Sequence, residues 1–85
     1  MDTITYQDRI ILASKVEAKP NELWITIGNA LYRIPLVECS PSLARASETE
    51  RCWIEVLPSG YGIHWPLIDE DLAVGPLVKG RVAVG

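Results

Sequence analysis

Apolar side chains recur at every second position over two stretches near the start of the chain, residues 10–18 and 23–34. A spacing of two places them on one face of a β-strand. Pro20-Asn21 and Gly28-Asn29 divide the region and are typical turn pairs, and the second suits a two-residue type II′ loop with glycine at positive φ. The pattern predicts a three-stranded antiparallel meander from Arg9 to Pro35.

The short second turn also predicts the register of the meander. If Ile27 faces Ala30, the main apolar residues of both strands share one face, and the opposite face pairs Trp24 with Arg33. The same test on the first turn adds the apolar residues of the first strand to the shared face. We therefore expect one buried face and one outward face. The other predicted pairs are Ile25–Tyr32, Leu23–Ile34, Thr26–Leu31, Ala18–Leu23 and Val16–Ile25.

Helix-capping signals follow the meander. Ser40-Pro41 predicts a helix start, because serine caps the backbone N–H groups and proline fits the first helical position. Ser47, followed three residues later by Glu50, is a capping box. The helical stretch is therefore predicted to restart at Ser47 and to end near Arg51.

Residues 52–65 predict a β-hairpin. A four-residue loop from Leu57 to Gly60 keeps the apolar residues on one face, whereas a three-residue loop would set Ile63 opposite Glu55. The predicted core-face pairs are Val56–Tyr61, Ile54–Ile63 and Cys52–Trp65. The predicted reverse-face pairs are Trp53–His64 and Glu55–Gly62.

The C-terminal part predicts one more short helix. Asp69 is a suitable N-cap for a helix through Val74, and Glu70 and Asp71 would lie in its first turn, where the helix dipole favours acidic side chains. Gly75-Pro76 is predicted to break this helix, although Leu77-Val78 could add another turn. Residues 81–85 are predicted to form a frayed tail.

Length and composition limit the architecture to one domain. The chain has 85 residues, a formal net charge of −3 and 48% hydrophobic residues, which fits a single folded α+β domain with residues 1–8 and 81–85 at its periphery. It shows neither a secretory signal nor an apolar run long enough for a membrane span. We therefore expect a cytoplasmic protein that does not contact membranes, with Cys39 and Cys52 as reduced core thiols.

Two segments, Gly62-Ile63-His64-Trp65-Pro66 and Asp69-Glu70-Asp71-Leu72, resemble the bacterial domain-of-unknown-function family 2442. The resemblance extends from Ile34 to Gly80, and the meander fits the N-terminal strands of the family. It implies a small α+β domain without assigned catalytic residues. Some relatives carry a helix-turn-helix domain afterwards, and others are proposed antitoxins beside a small toxin-like protein.

This chain departs from the family pattern in two ways. It stops at Gly85, so we expect the helix-turn-helix to be absent. Its second turn is Gly28-Asn29, where the family usually has an acidic residue before glycine. The first departure would remove the most obvious DNA-reading element.

The candidate chemical residues do not form a recognisable catalytic or metal-binding motif. Cys39, Cys52, His64 and Asp69 include metal-ligand types, but they lack the close pairs of ligands that structural zinc sites show. Asp69-Glu70-Asp71 lacks the spacing of a calcium loop. We therefore predict a protein without a metal or cofactor, and not an enzyme.

Tryptophans on the reverse faces of the two hairpins are the candidate interaction surface. This surface comprises Trp24 with Arg33, and Trp53 with His64. Tryptophan and arginine are enriched at binding hot spots, and a cation–π pair at an exposed site is worth about 0.5–1 kcal/mol. The alternative is that the indoles cover the sheet edge or the terminal helices within the monomer.

Three functional hypotheses follow. The first is a non-enzymatic interaction or regulatory module that self-associates or docks on a small protein, with an antitoxin-like role as one form of it. The second is a nucleic-acid-binding accessory or repressor that acts as a dimer or with a partner, which would need a basic stripe of Arg9, Lys15, Lys19 and Arg33 to offset the acidic net charge. The third is an enzyme that uses His64 with a carboxylate.

Overall fold

Six short strands and three α-helices are present in residues 11–85, the part of the chain that the computed structural model describes. The strands are β1 Lys15–Ala18, β2 Glu22–Ile27, β3 Ala30–Pro35, β4 Glu55–Val56, β5 Gly62–Trp65 and β6 Glu70–Ala73. The helices are α1 Pro41–Arg45, α2 Glu48–Cys52 and α3 Val74–Val78. The predicted peripheral segment 1–8 and the predicted strand residues Arg9 and Ile10 lie outside the described residues.

The first sheet has the order β1-β2-β3, is antiparallel throughout, and shows every pair predicted for it. Gly28 has a φ of +60°, the left-handed conformation that the tight β2–β3 turn requires. Such a short turn leaves little freedom of register, which is why the pairing followed from the local sequence. The first strand is shorter than predicted. It begins at Lys15, so Leu12, which was assigned to this strand, lies before it.

The two predicted capping signals are confirmed. Ser40 accepts a hydrogen bond from the Leu43 backbone N–H at 3.1 Å and begins α1. The backbone N–H of Ser47 donates to the Glu50 carboxylate at 2.8 Å, and the Glu50 N–H donates back to the Ser47 hydroxyl at 3.2 Å. This reciprocal pair begins α2.

The second sheet has the order β4-β5-β6 and corrects the predicted hairpin. Val56 pairs with Ile63, so the predicted Val56–Tyr61 pair is wrong. A 3-10 turn at Pro58–Gly60 makes the loop two residues longer than the four-residue loop that we predicted. Tyr61 consequently lies outside the core, with 48% of its surface exposed.

The predicted Cys52–Trp65 pair is also wrong. Cys52 is the last residue of α2 and is exposed, because the helix continues through the position assigned to the hairpin. Trp53 follows as the helix C-cap. The hairpin therefore contributes only a two-residue strand, β4, before its loop.

The segment from Asp69 to Ala73 does not form the predicted helix. Residues Glu70–Ala73 form β6 and pair with β5, while Asp69 lies in the connecting turn with a φ of +50°. The C-terminal helix is α3 instead, and it contains Gly75 and Pro76, which were predicted to break a helix. Pro76 is tolerated there because N–H groups of the first helical turn have no intrahelical acceptor.

The hydrophobic core joins both sheets to α1 and α3. Trp65 is fully buried, and its indole N–H donates to the Arg51 carbonyl at 3.0 Å. The Arg51 guanidinium in turn donates to the backbone carbonyls of Leu43 and Ala44 in α1 and of Pro20 in the β1–β2 turn. The buried core residues are Ala13, Leu23, Ile25, Ile34, Leu36, Leu43, Ile63, Trp65, Val74, Leu77 and Val78.

The C-terminal residues 81–85 are hydrogen-bonded to the domain, which differs from the frayed tail predicted for them. Val84 N–H donates to the Leu31 carbonyl at 2.7 Å, and Leu31 N–H donates to the Gly85 carbonyl at 3.3 Å. Arg81 reaches Glu38 at 3.2 Å. The tail therefore lies along the free edge of β3. No helix within residues 11–85 has the length and apolar character needed to span a bilayer.

Candidate functional site

The outward side of the first sheet carries the strongest of the predicted interaction features. Because Leu23 and Ile25 point into the core, their neighbours Glu22, Trp24 and Thr26 point away from it. The register adds outward residues from the strands on either side. We call this surface the tryptophan face and define it as Lys15, Glu17, Glu22, Trp24, Thr26, Leu31 and Arg33, together with Lys19 of the β1–β2 turn.

Trp24 is half-buried at the centre of the tryptophan face, between Glu17 on β1 and Arg33 on β3. The guanidinium carbon of Arg33 lies 5.0 Å from the indole centroid, and Lys19 Nζ lies 4.6 Å from it. Both distances fall within the range of a cation–π interaction. The predicted Trp24–Arg33 pair is therefore confirmed, and Lys19 is a second cation that the sequence reasoning did not place there.

Glu22 fixes the orientation of the Trp24–Arg33 pair. Its Oε1 accepts hydrogen bonds from the Trp24 indole N–H at 2.9 Å and from Arg33 Nη2 at 2.9 Å. These two hydrogen bonds hold the pKa of the Glu22 carboxyl below its usual value, and the bond from the Trp24 indole has the larger effect. Sequence reasoning missed Glu22, although a residue two positions before Trp24 on one strand must share its face.

The remaining charged groups of the tryptophan face also pair with one another. Glu17 lies 3.0 Å from Lys15 and 3.0 Å from Lys19. The hydrogen bond from Lys15, followed by that from Lys19, lowers the pKa of Glu17. The face therefore presents cations and carboxylates in alternation around one indole.

The second predicted pair, Trp53 with His64, is not formed. The register sets His64 opposite Glu55 on one side and opposite Asp71 on the other. Trp53 lies outside the strands with 56% of its surface exposed. The shift follows from the longer β4–β5 loop, which moves every β4 residue two positions along β5.

His64 belongs instead to an acidic group on the outward side of the second sheet. Its Nδ1 donates to Oδ1 of Asp71 at 2.7 Å. One ligand-type atom each from His64, Asp69 and Asp71 lies within 4.8 Å of the others, and we call these three residues the His64 cluster. The hydrogen bond to Asp71 raises the pKa of His64 above its usual value, with additional electrostatic support from Asp71, Glu55 and Asp69.

The remaining predicted motif residues take structural positions. Trp65 is in the core, Pro66 lies in the turn after β5, and Glu70 pairs with Trp65 at the start of β6. Asp71 is predicted to lie in the first turn of a helix, but it lies on β6 directly opposite His64 on β5.

The two cysteines occupy different environments, and only one is near the core as predicted. Cys39 packs against the core and its Sγ lies 3.6 Å from the Pro35 carbonyl. Burial raises the pKa of Cys39 to about 11. Both thiols are free, and neither belongs to the His64 cluster.

Comparison with known proteins agrees with the fold and leaves the activity open. The family model described as "Protein of unknown function (DUF2442)" matches residues 13–83. A crystal structure of a protein of unknown function from Rhodospirillum rubrum ATCC 11170 is similar, with a TM-score of 0.70 and 26% identity over 86% of this chain and 90% of that chain. The search of curated proteins gave no match. The chain therefore belongs to the DUF2442 family of proteins of unknown function.

Proposed function

We propose that this domain is a non-enzymatic protein-interaction module, that its docking surface is the tryptophan face, and that the partner is a second copy of the same chain. The observation that carries the proposal is the position of Trp24, half-buried at the centre of an outward sheet face. Tryptophan and arginine supply a large share of the binding energy at protein interfaces. Here the two side chains already lie together at 5.0 Å.

The orientation of Trp24 lowers the entropic cost of docking. Glu22 holds the indole N–H, and two cations contact the ring. A side chain that is ordered before binding loses less conformational entropy when a partner covers it. Trp53 is more exposed, but none of the side-chain hydrogen bonds or cation–π contacts of residues 11–85 involves it. This contrast makes Trp24 the better anchor.

The charge pattern of the face favours a second copy over a partner of one charge sign. Three cations, Lys15, Lys19 and Arg33, are interleaved with two carboxylates, Glu17 and Glu22. Two copies related by a twofold axis could each set cations against the carboxylates of the other. A uniformly acidic or basic partner would meet like charges as well as opposite ones.

The dimensions of the face imply weak association. A six-residue strand at about 3.3 Å per residue, and three strands about 4.8 Å apart, give a face of roughly 300 Å². Val84, which is 61% exposed beside Leu31, adds apolar surface at the β3 edge. Stable interfaces bury about 800 Å² on each partner. We therefore expect a transient dimer with a dissociation constant on the order of 100 µM.

The assignment as a non-enzyme is part of the proposal. Within the described chain, the side-chain partner of the His64 ring is the Asp71 carboxylate rather than a hydroxyl or thiol. Nucleophilic catalysis needs a base within hydrogen-bond reach of its nucleophile. A His64→Ala variant with unchanged behaviour in the host would support the assignment. A loss of host function with intact folding in His64→Ala, but not in Asp69→Asn, would indicate that His64 acts as a base and would contradict it.

Nucleic-acid binding is less favoured by the geometry. Lys15, Lys19 and Arg33, three members of the predicted basic stripe, pair with Glu17 or Glu22. These pairs reduce the positive potential that phosphate binding needs. Arg9, the fourth member, lies outside the described residues. The antitoxin-like role stays a prediction, since the family and the similar crystal structure are both of unknown function.

Sedimentation velocity tests the proposed dimer. The wild-type chain is expected to change from monomer to dimer as its concentration rises from about 10 µM to about 1 mM, the range that brackets the expected constant. Trp24→Thr should abolish the change, because threonine keeps the strand propensity but removes the anchor. Trp53→Thr is the matched control and should behave like wild type.

Two results would contradict the proposal. One is a wild-type chain that stays monomeric over the whole concentration range. The other is a dimer that survives Trp24→Thr, whether or not it survives Trp53→Thr, because the interface would then lie elsewhere. Circular dichroism of each variant confirms that its fold is retained.

A further inference from the structure

We propose that His64, Asp69 and Asp71 bind a divalent first-row transition metal ion, with Zn²⁺ as the reference ion, on the outward side of the second sheet. This site is separate from the tryptophan face, and its existence does not depend on the proposed dimer. It also departs from the sequence-based expectation of a protein without a metal.

The donor atoms are close enough to share one ion. One ligand-type atom from each residue lies within 4.8 Å of the other two. Zinc bonds of about 2.1 Å to nitrogen and oxygen in a tetrahedron set neighbouring donors about 3.4 Å apart. The closest pair, Nδ1 of His64 and Oδ1 of Asp71, is 2.7 Å apart, so these two atoms would have to move slightly farther apart to bind one ion. Asp69 and Asp71 are exposed, so their carboxylates can make the adjustment by side-chain rotation.

The backbone places two of the three donors on adjacent strands. His64 on β5 and Asp71 on β6 are direct partners in the antiparallel ladder, so their side chains leave the sheet side by side. Asp69 ends the turn between these strands, where its φ of +50° lies in the left-handed region that aspartate tolerates. Donors on sheet strands are held more rigidly than donors on loops, which lowers the entropic cost of binding.

The charge around His64 is not balanced by basic side chains of the described chain. Glu55 is the partner of His64 on β4 and Asp71 is its partner on β6, so acidic residues flank His64 on both neighbouring strands. The Lys and Arg ion pairs found in residues 11–85 involve Glu17, Glu22 and Glu38, and none involves Glu55, Asp69 or Asp71. A divalent cation would relieve the repulsion among these carboxylates.

The chemistry of the donor set selects the class of ion. One imidazole nitrogen with two carboxylates suits zinc and its neighbours in the first transition series. Mg²⁺ and Ca²⁺ prefer sites built from oxygen ligands, and Ca²⁺ takes six to eight of them. Three protein donors leave at least one coordination position for water. Nδ1 can bind the ion only without the proton that it donates to Asp71. A doubly protonated ring releases that proton to the buffer, and a neutral ring carries its proton on Nε2 instead.

The test is a titration of the chelator-treated full chain with Zn²⁺, followed by calorimetry and by ¹H–¹⁵N NMR. We expect saturable binding of one ion per chain, with the largest shifts at His64 and residues 69–71. Asp69→Asn should weaken binding at least about tenfold, since it removes a ligand while asparagine tolerates the left-handed turn. Asp71→Asn should weaken it similarly, and Mg²⁺ should produce no comparable shifts.

Two control variants separate this site from unspecific binding. Glu48→Gln removes an exposed carboxylate of α2, and Cys52→Ser removes the exposed thiol, so both should bind Zn²⁺ like wild type. The proposal is overturned if Zn²⁺ gives no saturable signal up to about 1 mM. It is also overturned if Asp69→Asn and Asp71→Asn bind like wild type, or if Cys52→Ser abolishes binding.

Discussion

Arg33 lies directly opposite Trp24 on the neighbouring strand, with its guanidinium carbon 5.0 Å from the indole centroid. Both side chains donate to the same oxygen atom, Oε1 of Glu22. The three residues therefore form one unit, in which a carboxylate orients both the ring and the cation.

Replacing Arg33 by glutamine should destabilise the domain slightly. The change removes the cation from the Trp24 ring, a contact worth about 0.5–1 kcal/mol at an exposed site, and with it the ion pair from Arg33 to Glu22. Urea unfolding followed by circular dichroism measures the loss. Arg45→Gln is the comparison variant. Arg45 is exposed in the last turn of α1, where its charge contributes only a helix-dipole interaction of about 0.3 kcal/mol, so this variant should lose less. Equal losses in the two variants would show that the Trp24–Arg33 contact contributes nothing.

Glu22 should make stability depend on pH in the acidic range. Hydrogen bonds from Trp24 and Arg33 lower its pKa below the usual 4.5 in the folded state. A lowered carboxyl pKa stabilises the fold at pH values above 4.5, and this contribution is lost as the pH falls through the folded-state pKa. The difference in unfolding free energy between wild type and Glu22→Gln should therefore be largest near neutral pH and shrink below pH 4.5. A difference that does not change with pH would refute this assignment.

The two thiols should react with a disulfide reagent at very different rates. Cys52 is exposed, whereas Cys39 is half-buried and its pKa is raised to about 11. At pH 8 roughly one Cys39 side chain in a thousand is the reactive thiolate. We expect one fast-reacting thiol per native chain, and Cys52→Ser should remove the fast phase. Fast modification in Cys52→Ser would contradict the placement of Cys39.

Replacing Gly60 by alanine should lower the free energy of unfolding much more than replacing Gly28. Both have a positive φ, +76° for Gly60 and +60° for Gly28. A Cβ atom at Gly60 would lie 1.9 Å from the Ala13 carbonyl oxygen, whereas a Cβ at Gly28 meets nothing within 4 Å. We expect Gly28→Ala to cost about 1–2 kcal/mol and Gly60→Ala about 3 kcal/mol or more. Chemical denaturation of the two variants measures these costs, and equal costs would contradict the close approach at Gly60.

The first sheet was predictable from the sequence because its information is local. A two-residue turn with glycine fixes which residues face one another, and the alternation then assigns each face. Trp24 and Arg33 followed from that register. Lys19 and Glu22 could have been assigned to the tryptophan face in the same way. Glu22 lies two positions before Trp24 on β2 and so shares its face, and Lys19 lies in the turn that precedes β2.

The second sheet was harder to predict because its strands are defined by their partners. Asp69 to Asp71 have the composition of a helix start, and only the pairing of β6 with β5 makes them a strand. The 3-10 turn before Tyr61 lengthened the β4–β5 loop and displaced the predicted partner of His64. As a result, the His64 cluster could not be derived from sequence spacing alone.

The three tryptophans provide the most direct test of the proposed docking surface. Each indole N–H gives its own NMR signal: Trp24 on the tryptophan face, Trp53 exposed elsewhere, and Trp65 in the core. We predict that diluting the full chain from about 1 mM to about 20 µM, across the expected dissociation constant, will shift the Trp24 signal and leave the other two in place. A Trp24 signal that does not depend on concentration, or a shift at Trp53 instead, would contradict the account.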